Sequence, residues 1–185
     1  MTTVARDTGL PAELLVLLEE LSLRYEILDG SLVVNAPPIF DHEDFAAGLL
    51  VLLRLASPPG IAVLGSGYKY FYDGLRGNTR NHTMADITVV SRDRVERAGT
   101  VHPPLLVVEV QSPGTQRRDL GEKREIYERT GVGTYLLLHP EHRTLTVLRL
   151  VDGTYVETHH VGETGVVRLT EPFAVELDLG QVFVG

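Results

Sequence analysis

Leu105-Leu-Val-Val-Glu-Val-Gln-Ser-Pro-Gly-Thr-Gln-Arg-Arg-Asp-Leu-Gly-Glu-Lys123 decides how the chain is read. It opens as a continuous apolar run, the pattern of a strand buried on both faces. Glu109 interrupts that run between Val108 and Val110. A carboxylate in such a place is costly unless it is paired, protonated or bound to a cation. Ser112-Pro-Gly then ends the strand, and a polar, basic helix follows. A buried acid at a strand end, facing a helix that carries Lys123, points to chemistry; the bland alternative is an acid salt-bridged to an arginine.

Upstream, Met84-Ala-Asp-Ile-Thr-Val-Val90 predicts another strand. Ile87 and Val89 point one way, and Asp86, Thr88 and Val90 the other. If the two strands are neighbours, Asp86 and Glu109 stand side by side at their ends. Like charges in a low-dielectric cleft raise a pKa or recruit a cation. Asp, Glu and a backbone carbonyl are hard oxygen ligands, suited to Mg2+ or Mn2+. Such an ion polarises a phosphodiester and activates water. A nearby ammonium stabilises the developing negative charge or orients the water.

Lys123 is the candidate ammonium. Leu120, Lys123 and Tyr127 fall at i, i+3 and i+7, a face predicted to pack on the sheet. Arg117, Arg118, Arg124 and Arg129 make this segment basic, which suits a phosphate-bearing ligand, with Arg117 and Arg118 as candidate substrate-binding residues. Gln111 and Ser112 read as supporting or turn residues.

The remaining elements follow in chain order. Residues 1–9 are polar and expected to be flexible. Pro11 to Arg24 predicts a helix with Leu14, Leu17, Leu18 and Leu21 on one face. Asp29-Gly30 between two β-prone segments predicts a hairpin. Asp41 caps a second helix, with Asp44 as its partner three residues on, running to about Leu55. Strands are predicted over Ile61 to Leu64 and Tyr68 to Tyr72, the latter a sheet face with a tyrosine stripe. Asp73 to Thr83 is a polar loop with Arg76, Arg80 and His82. A helix from Arg118 or Asp119 to Thr130 ends at Gly131. Val132 to Leu138 is a strand, and a hairpin turns at Asp152-Gly153. Val166 to Leu169 and Phe173 to Leu177 complete a mostly β C-terminal part. The order predicts a mixed α/β (α+β) fold, with one domain over residues 1–185 and no dividing linker.

Composition sets limits. The 185 residues suffice for a sizeable core, and 43% hydrophobic with 23% charged residues is an ordinary globular balance. There are no cysteines, which excludes disulfides and cysteine-ligated metal sites. With no basic, apolar leader at the N-terminus, a cytoplasmic location is the expectation. No apolar run approaches a membrane span. The net charge of −8 argues against a wide basic DNA-binding surface but leaves room for a local basic cleft. Lys69 and Lys123 are the only lysines, against many arginines.

With these residues in view, the chain resembles the Uma-two family of restriction endonucleases, part of the PD-(D/E)XK nuclease superfamily. The matching segments are Tyr25-Glu-Ile-Leu-Asp-Gly30, His42, Ala85-Asp86-Ile87, Val108-Glu-Val-Gln-Ser-Pro-Gly-Thr115, Asp119-Leu-Gly-Glu-Lys123 with Tyr127, and Gly131-Val-Gly-Thr-Tyr135. The resemblance implies a restriction-endonuclease-like core, a central mixed sheet flanked by helices, here with extra C-terminal β-hairpins. It implies that Asp86 and Glu109 bind the metal together with the Val110 carbonyl. The superfamily's lysine position is occupied by Gln111, and the family's lysine from the following helix is Lys123. Glu26 is implied as an upstream acid and His42 as a residue lining the cleft. Ala85 stands where proline is common. The implied activity is Mg2+- or Mn2+-dependent hydrolysis of nucleic acid, DNA more than RNA. Alternatives are a catalytically silent binding module and a metal-dependent hydrolase of a smaller phosphate compound. The C-terminal hairpins suggest a homodimer through strand edges.

Overall fold

The computed structural model describes residues 10–73 and 81–183. The segment 1–9 and the loop arginines Arg76 and Arg80 lie outside them. The described elements are α1 (Ala12–Glu20), β1 (Tyr25–Leu28), β2 (Ser31–Val34), α2 (Phe40–Ala56), β3 (Ile61–Leu64), β4 (Lys69–Tyr70), β5 (Ile87–Ser91), β6 (Gly99–Thr100) and β7 (Leu106–Val110). After β7 come α3 (Gln116–Arg118), a π turn (Asp119–Lys123), α4 (Arg124–Thr130), β8 (Thr134–His139), β9 (Thr144–Val151), β10 (Thr154–Val161), β11 (Val166–Leu169) and β12 (Val175–Asp178).

Among the described residues, the central sheet has six strands in the order β10-β9-β8-β7-β5-β3. β7 and β8 pair in parallel; the other neighbours are antiparallel. Parallel neighbours need a crossover, and the helical segment 116–130 supplies it. Every residue of β7 is buried, as its apolar sequence predicts. The strand's alternation sorts its side chains between two cores. Leu106, Val108 and Val110 meet Phe45, Leu49 and Leu53 of α2 and the β11–β12 hairpin. Val107 faces the other way, onto Ile126 and Tyr127 of α4 and Tyr135 of β8. Glu109 is on the Val107 side, so the strand's pleat aims its carboxylate at the helix that follows.

The β1–β2 hairpin turns at Asp29 (φ 47°) and Gly30 (φ 88°), the two positive values that a type I′ turn requires. Gly131 ends α4 with φ 87° in the left-handed region.

Several expectations are corrected. α1 covers Ala12–Glu20 and buries Leu15 and Leu18, while Leu17 and Leu21 are exposed; the small cluster with Tyr25 and Ile27 takes a narrower stripe than the leucine repeat suggests. α2 begins at Phe40 after Ile39, without a side-chain cap; Asp41 sits inside the first turn, where it still favours the helix dipole. The stretch Tyr68 to Tyr72 holds only the two-residue β4, paired in parallel with β6, so the tyrosines do not form one sheet face. The strand predicted from Met84 starts at Ile87, directly after Asp86. The helix predicted from Arg118 or Asp119 begins at Gln116 and is widened by the π turn. Leu120 is therefore 48% exposed instead of sharing the buried face of Lys123 and Tyr127. Among the described residues, no helix is long and apolar enough to cross a membrane.

Candidate active site

Four carboxylates from four segments converge where β1, β5 and β7 meet the helical crossover. Glu26 comes from β1 and is fully buried. Its Oε1 accepts from the Met84 N–H at 2.7 Å and lies 2.9 Å from Lys123 Nζ; its Oε2 accepts from Asn35 Nδ2 at 3.1 Å. Asp86 precedes β5, and the pairing of Ile87 with Val108 sets it across from Glu109. Its Oδ2 accepts from the Val110 N–H at 2.8 Å and lies 3.2 Å from His42 Nε2. Its Oδ1 is 3.8 Å from Arg24 Nη2. Glu109 Oε1 accepts from Lys123 Nζ at 2.8 Å and from Tyr127 Oη at 2.9 Å.

The fourth acid, Asp119, is 1% exposed, and its Oδ1 is 4.0 Å from Lys123 Nζ. Neither of its carboxylate oxygens has a hydrogen-bond partner among the described residues. The π turn brings this about. It adds width to the helix and places Asp119 and Lys123 on the inward side together. Tyr135 Oη donates to the Asp119 carbonyl at 3.1 Å and holds the widened turn in place.

Burial and charge compete here, and the balance differs from acid to acid. Burial pushes the Glu109 carboxyl well above its usual range; the Lys123 ammonium opposes this, and the other acids reinforce it. Burial likewise raises Asp119 to about 6, against the pull of Lys123. Asp86 goes down: burial opposes ionisation, but His42, the Val110 N–H and Lys123 together outweigh it. His42 goes up, since Asp86 outweighs the burial that disfavours its charged form. Lys123 is held well above its ordinary value, because Glu109, Glu26 and Asp119 outweigh its burial. The site thus keeps the Lys123 ammonium charged and Asp86 ionised, while Glu109 and Asp119 hold protons more readily than in water.

A cavity of about 440 Å³ opens over these groups. Glu26, His42, Asp86, Glu109, Val110, Ser112, Arg118 and Lys123 all line it. Two residues singled out from sequence do not. Gln111 lies past the end of β7, buried at 6% exposure and away from the cavity wall. Arg117 is exposed and absent from the lining, because successive helical residues point about 100° apart and Arg118 takes the inward direction. Ser112 lines the cavity from the turn after β7, where its N–H donates to Thr115 Oγ1 at 3.1 Å. Sequence reasoning missed Asp119, Arg24 and Asn35 as cavity residues. The four-residue spacing of Asp119 and Lys123 was the available signal for the first. Nothing local marks the other two, which arrive through the hairpin.

The donor chemistry fits a hard divalent cation. Asp86 and Glu109 are opposed across an antiparallel pair, and the extended backbone of Val110 turns its carbonyl to the same side as the N–H that meets Asp86. Asp119 adds two oxygens that lack partners. Among the described residues, no three His, Cys, Asp or Glu side chains stand close enough to cage an ion.

A mixed sheet flanked by helices, with acids at adjoining strand ends, is a nuclease-like fold of the restriction-endonuclease type. A solved structure described as "a putative nuclease belonging to DUF820" from Anabaena variabilis shares it, with a TM-score of 0.67 over 86% of this chain and 89% of that one, at 17% identity. The chain belongs to the Uma2 family, described as "Putative restriction endonuclease", whose model matches residues 11–180. No curated protein matches the chain.

Proposed function

We propose that the protein is a Mg2+- or Mn2+-dependent endonuclease that hydrolyses phosphodiester bonds of DNA in preference to RNA, in the cytoplasm. Membership of a nuclease family supports nucleic acid as the substrate. The observation that carries the reading is the buried Lys123 ammonium, 2.8 Å from Glu109 and facing the cavity that Asp86 also lines. Asp86, Glu109 and the Val110 carbonyl would hold the ion, and the ion would polarise the scissile phosphate and acidify water.

The chain's own residues do the rest. Glu26 and Glu109 fix the Lys123 ammonium from two sides, and Tyr127 fixes Glu109. Lys123 then presents positive charge where the phosphate becomes more negative. His42 and the Val110 N–H orient Asp86. Arg118, tied by its Nη1 to Asn35 Oδ1 at 3.1 Å, meets the phosphate chain.

A second reading is a binding module that keeps the fold without cleaving. The saturation of Glu109 Oε1 by two internal donors favours it. Incubation of DNA with the purified protein in Mg2+, Mn2+ or EDTA separates the two. The nuclease reading predicts ion-dependent cleavage that falls by roughly 100-fold or more in Asp86→Asn. Binding without cleavage in either metal selects the module.

A further inference from the structure

The functional groups lie deep. Glu26, Asp86, Glu109, Asp119 and Lys123 are each less than 10% exposed, at the floor of the 440 Å³ cavity. The walls differ in kind. One is apolar and open to solvent: Val34 is 50% and Ile39 is 67% exposed, with Ala36, Pro37 and Pro38 between them. Two cations, Arg24 and Arg118, line the same cavity, Arg24 beside the wall with its carbonyl accepting from the Asn35 N–H at 2.8 Å. Arg24 Nε is buried without a hydrogen-bond partner, and its nearest approach to Asp86 is a long 3.8 Å. Its guanidinium therefore has donors to spare. The bond from Arg118 to Asn35 ties the apolar loop to the helical segment, so wall and cation keep a fixed separation.

A phosphate on the outside of an intact duplex is flanked by other phosphates and sugars. Pressing that rim against Val34, Pro37 and Ile39 would strip water from charges with nothing in return. The face of an unstacked base suits such a wall, while its phosphate suits the guanidiniums beside it. The protein's net charge of −8 also disfavours a long duplex track and leaves binding to this local cleft.

Building on the nuclease reading of the same site, we propose that the cavity admits a single unpaired nucleotide. Its base lies on the Val34–Ile39 wall and its phosphate between Arg24 and Arg118. The substrate class is accordingly single-stranded DNA, or duplex DNA with an unpaired nucleotide, in preference to intact duplex.

The test uses end-labelled single-stranded DNA, intact duplex and duplex with one central unpaired nucleotide. Wild type is compared with Val34→Ser/Ile39→Ser and with Ile39→Trp, all changes at exposed positions. The proposal predicts that wild type cuts the single strand and the unpaired site at least roughly tenfold faster than intact duplex. It predicts that the double-serine variant raises KM for the single strand about tenfold with kcat kept, and that Ile39→Trp retains wild-type KM. Intact duplex cut as fast as single strand, or a KM unmoved by the double-serine change, overturns the substrate assignment while the nuclease reading stands. Absence of both cutting and binding for all three DNAs overturns the nuclease reading and this proposal with it.

Discussion

Lys123 holds its ammonium 2.8 Å from Glu109, 2.9 Å from Glu26 and 4.0 Å from Asp119. Removing one partner from a buried ion cluster is far more costly than the net worth of the cluster, because the remaining charges lose their compensation. Lys123→Met should therefore destabilise the protein by about 3–5 kcal/mol near neutral pH. The sign with pH follows from the acids left behind. The folded-state pKa values of Glu109 and Asp119, already raised, rise further above the unfolded ones, so their contribution is present in acid and lost as pH rises. Urea unfolding at pH 5 and pH 8 should show a much larger loss at pH 8; an equal loss at both would contradict the cluster's role. Asp119 offers the converse case. Its carboxyl is raised from 3.8 to about 6, so the native state binds the proton more tightly. Its stabilising contribution is complete below about pH 4 and lost as pH rises through about 6. Asp119→Asn should thus stabilise the fold on the order of 2–3 kcal/mol at pH 8 and hardly at all at pH 4. A pH-independent difference would contradict this. An acid kept at such a cost is characteristic of a site selected for activity over stability.

At the scale of elements, the π turn Asp119–Lys123 connects sequence to site. It turns Asp119 inward beside Lys123 and leaves Leu120 48% exposed. Deleting Leu120 should let the segment close into a regular α-helix, bring Asp119 from four to three residues before Lys123 and change the angle between their side chains. The deletion should keep the far-UV CD spectrum and lower cleavage by roughly 100-fold, whereas Leu120→Ala should change stability by less than about 0.5 kcal/mol. A deletion variant with full activity would contradict the role given to the turn. This is also where the sequence was least legible. The Asp29-Gly30 hairpin, the buried β7 with its lone acid, and the Gly131 stop each follow from local rules about positive φ, alternation and left-handed caps. A π turn has no such mark. Counting i, i+3 and i+7 from Leu120 assigned that leucine inward, whereas a count of four back from Lys123 reaches Asp119. The ends of α1 and β4 were misjudged for other reasons: α1 stops where Ser22 takes φ 52°, and β4 is limited by its pairing with Gly99-Thr100, distant in sequence. The pairing of Glu109 with Lys123 was legible because one short loop joins the strand to the helical crossover that packs on it.

At the scale of the molecule, two cores on opposite faces of the six-stranded sheet fix the ends of β5 and β7, and so set Asp86 opposite Glu109. α2 covers one face and delivers His42 to Asp86; the β1–β2 hairpin delivers Glu26, Asn35 and the apolar wall. The site is therefore a product of the whole architecture, and it gathers Arg24, Arg118 and Lys123 around one cavity of an acidic protein. The central claim is that Glu109 and Lys123 form the working half of a nuclease site. Cleavage of labelled DNA by wild type and Glu109→Ala in Mg2+, with thermal unfolding followed in parallel, tests it most directly. The account predicts that Glu109→Ala stays folded and loses at least about 100-fold in cleavage rate. A folded Glu109→Ala variant that cuts DNA at the wild-type rate would contradict it.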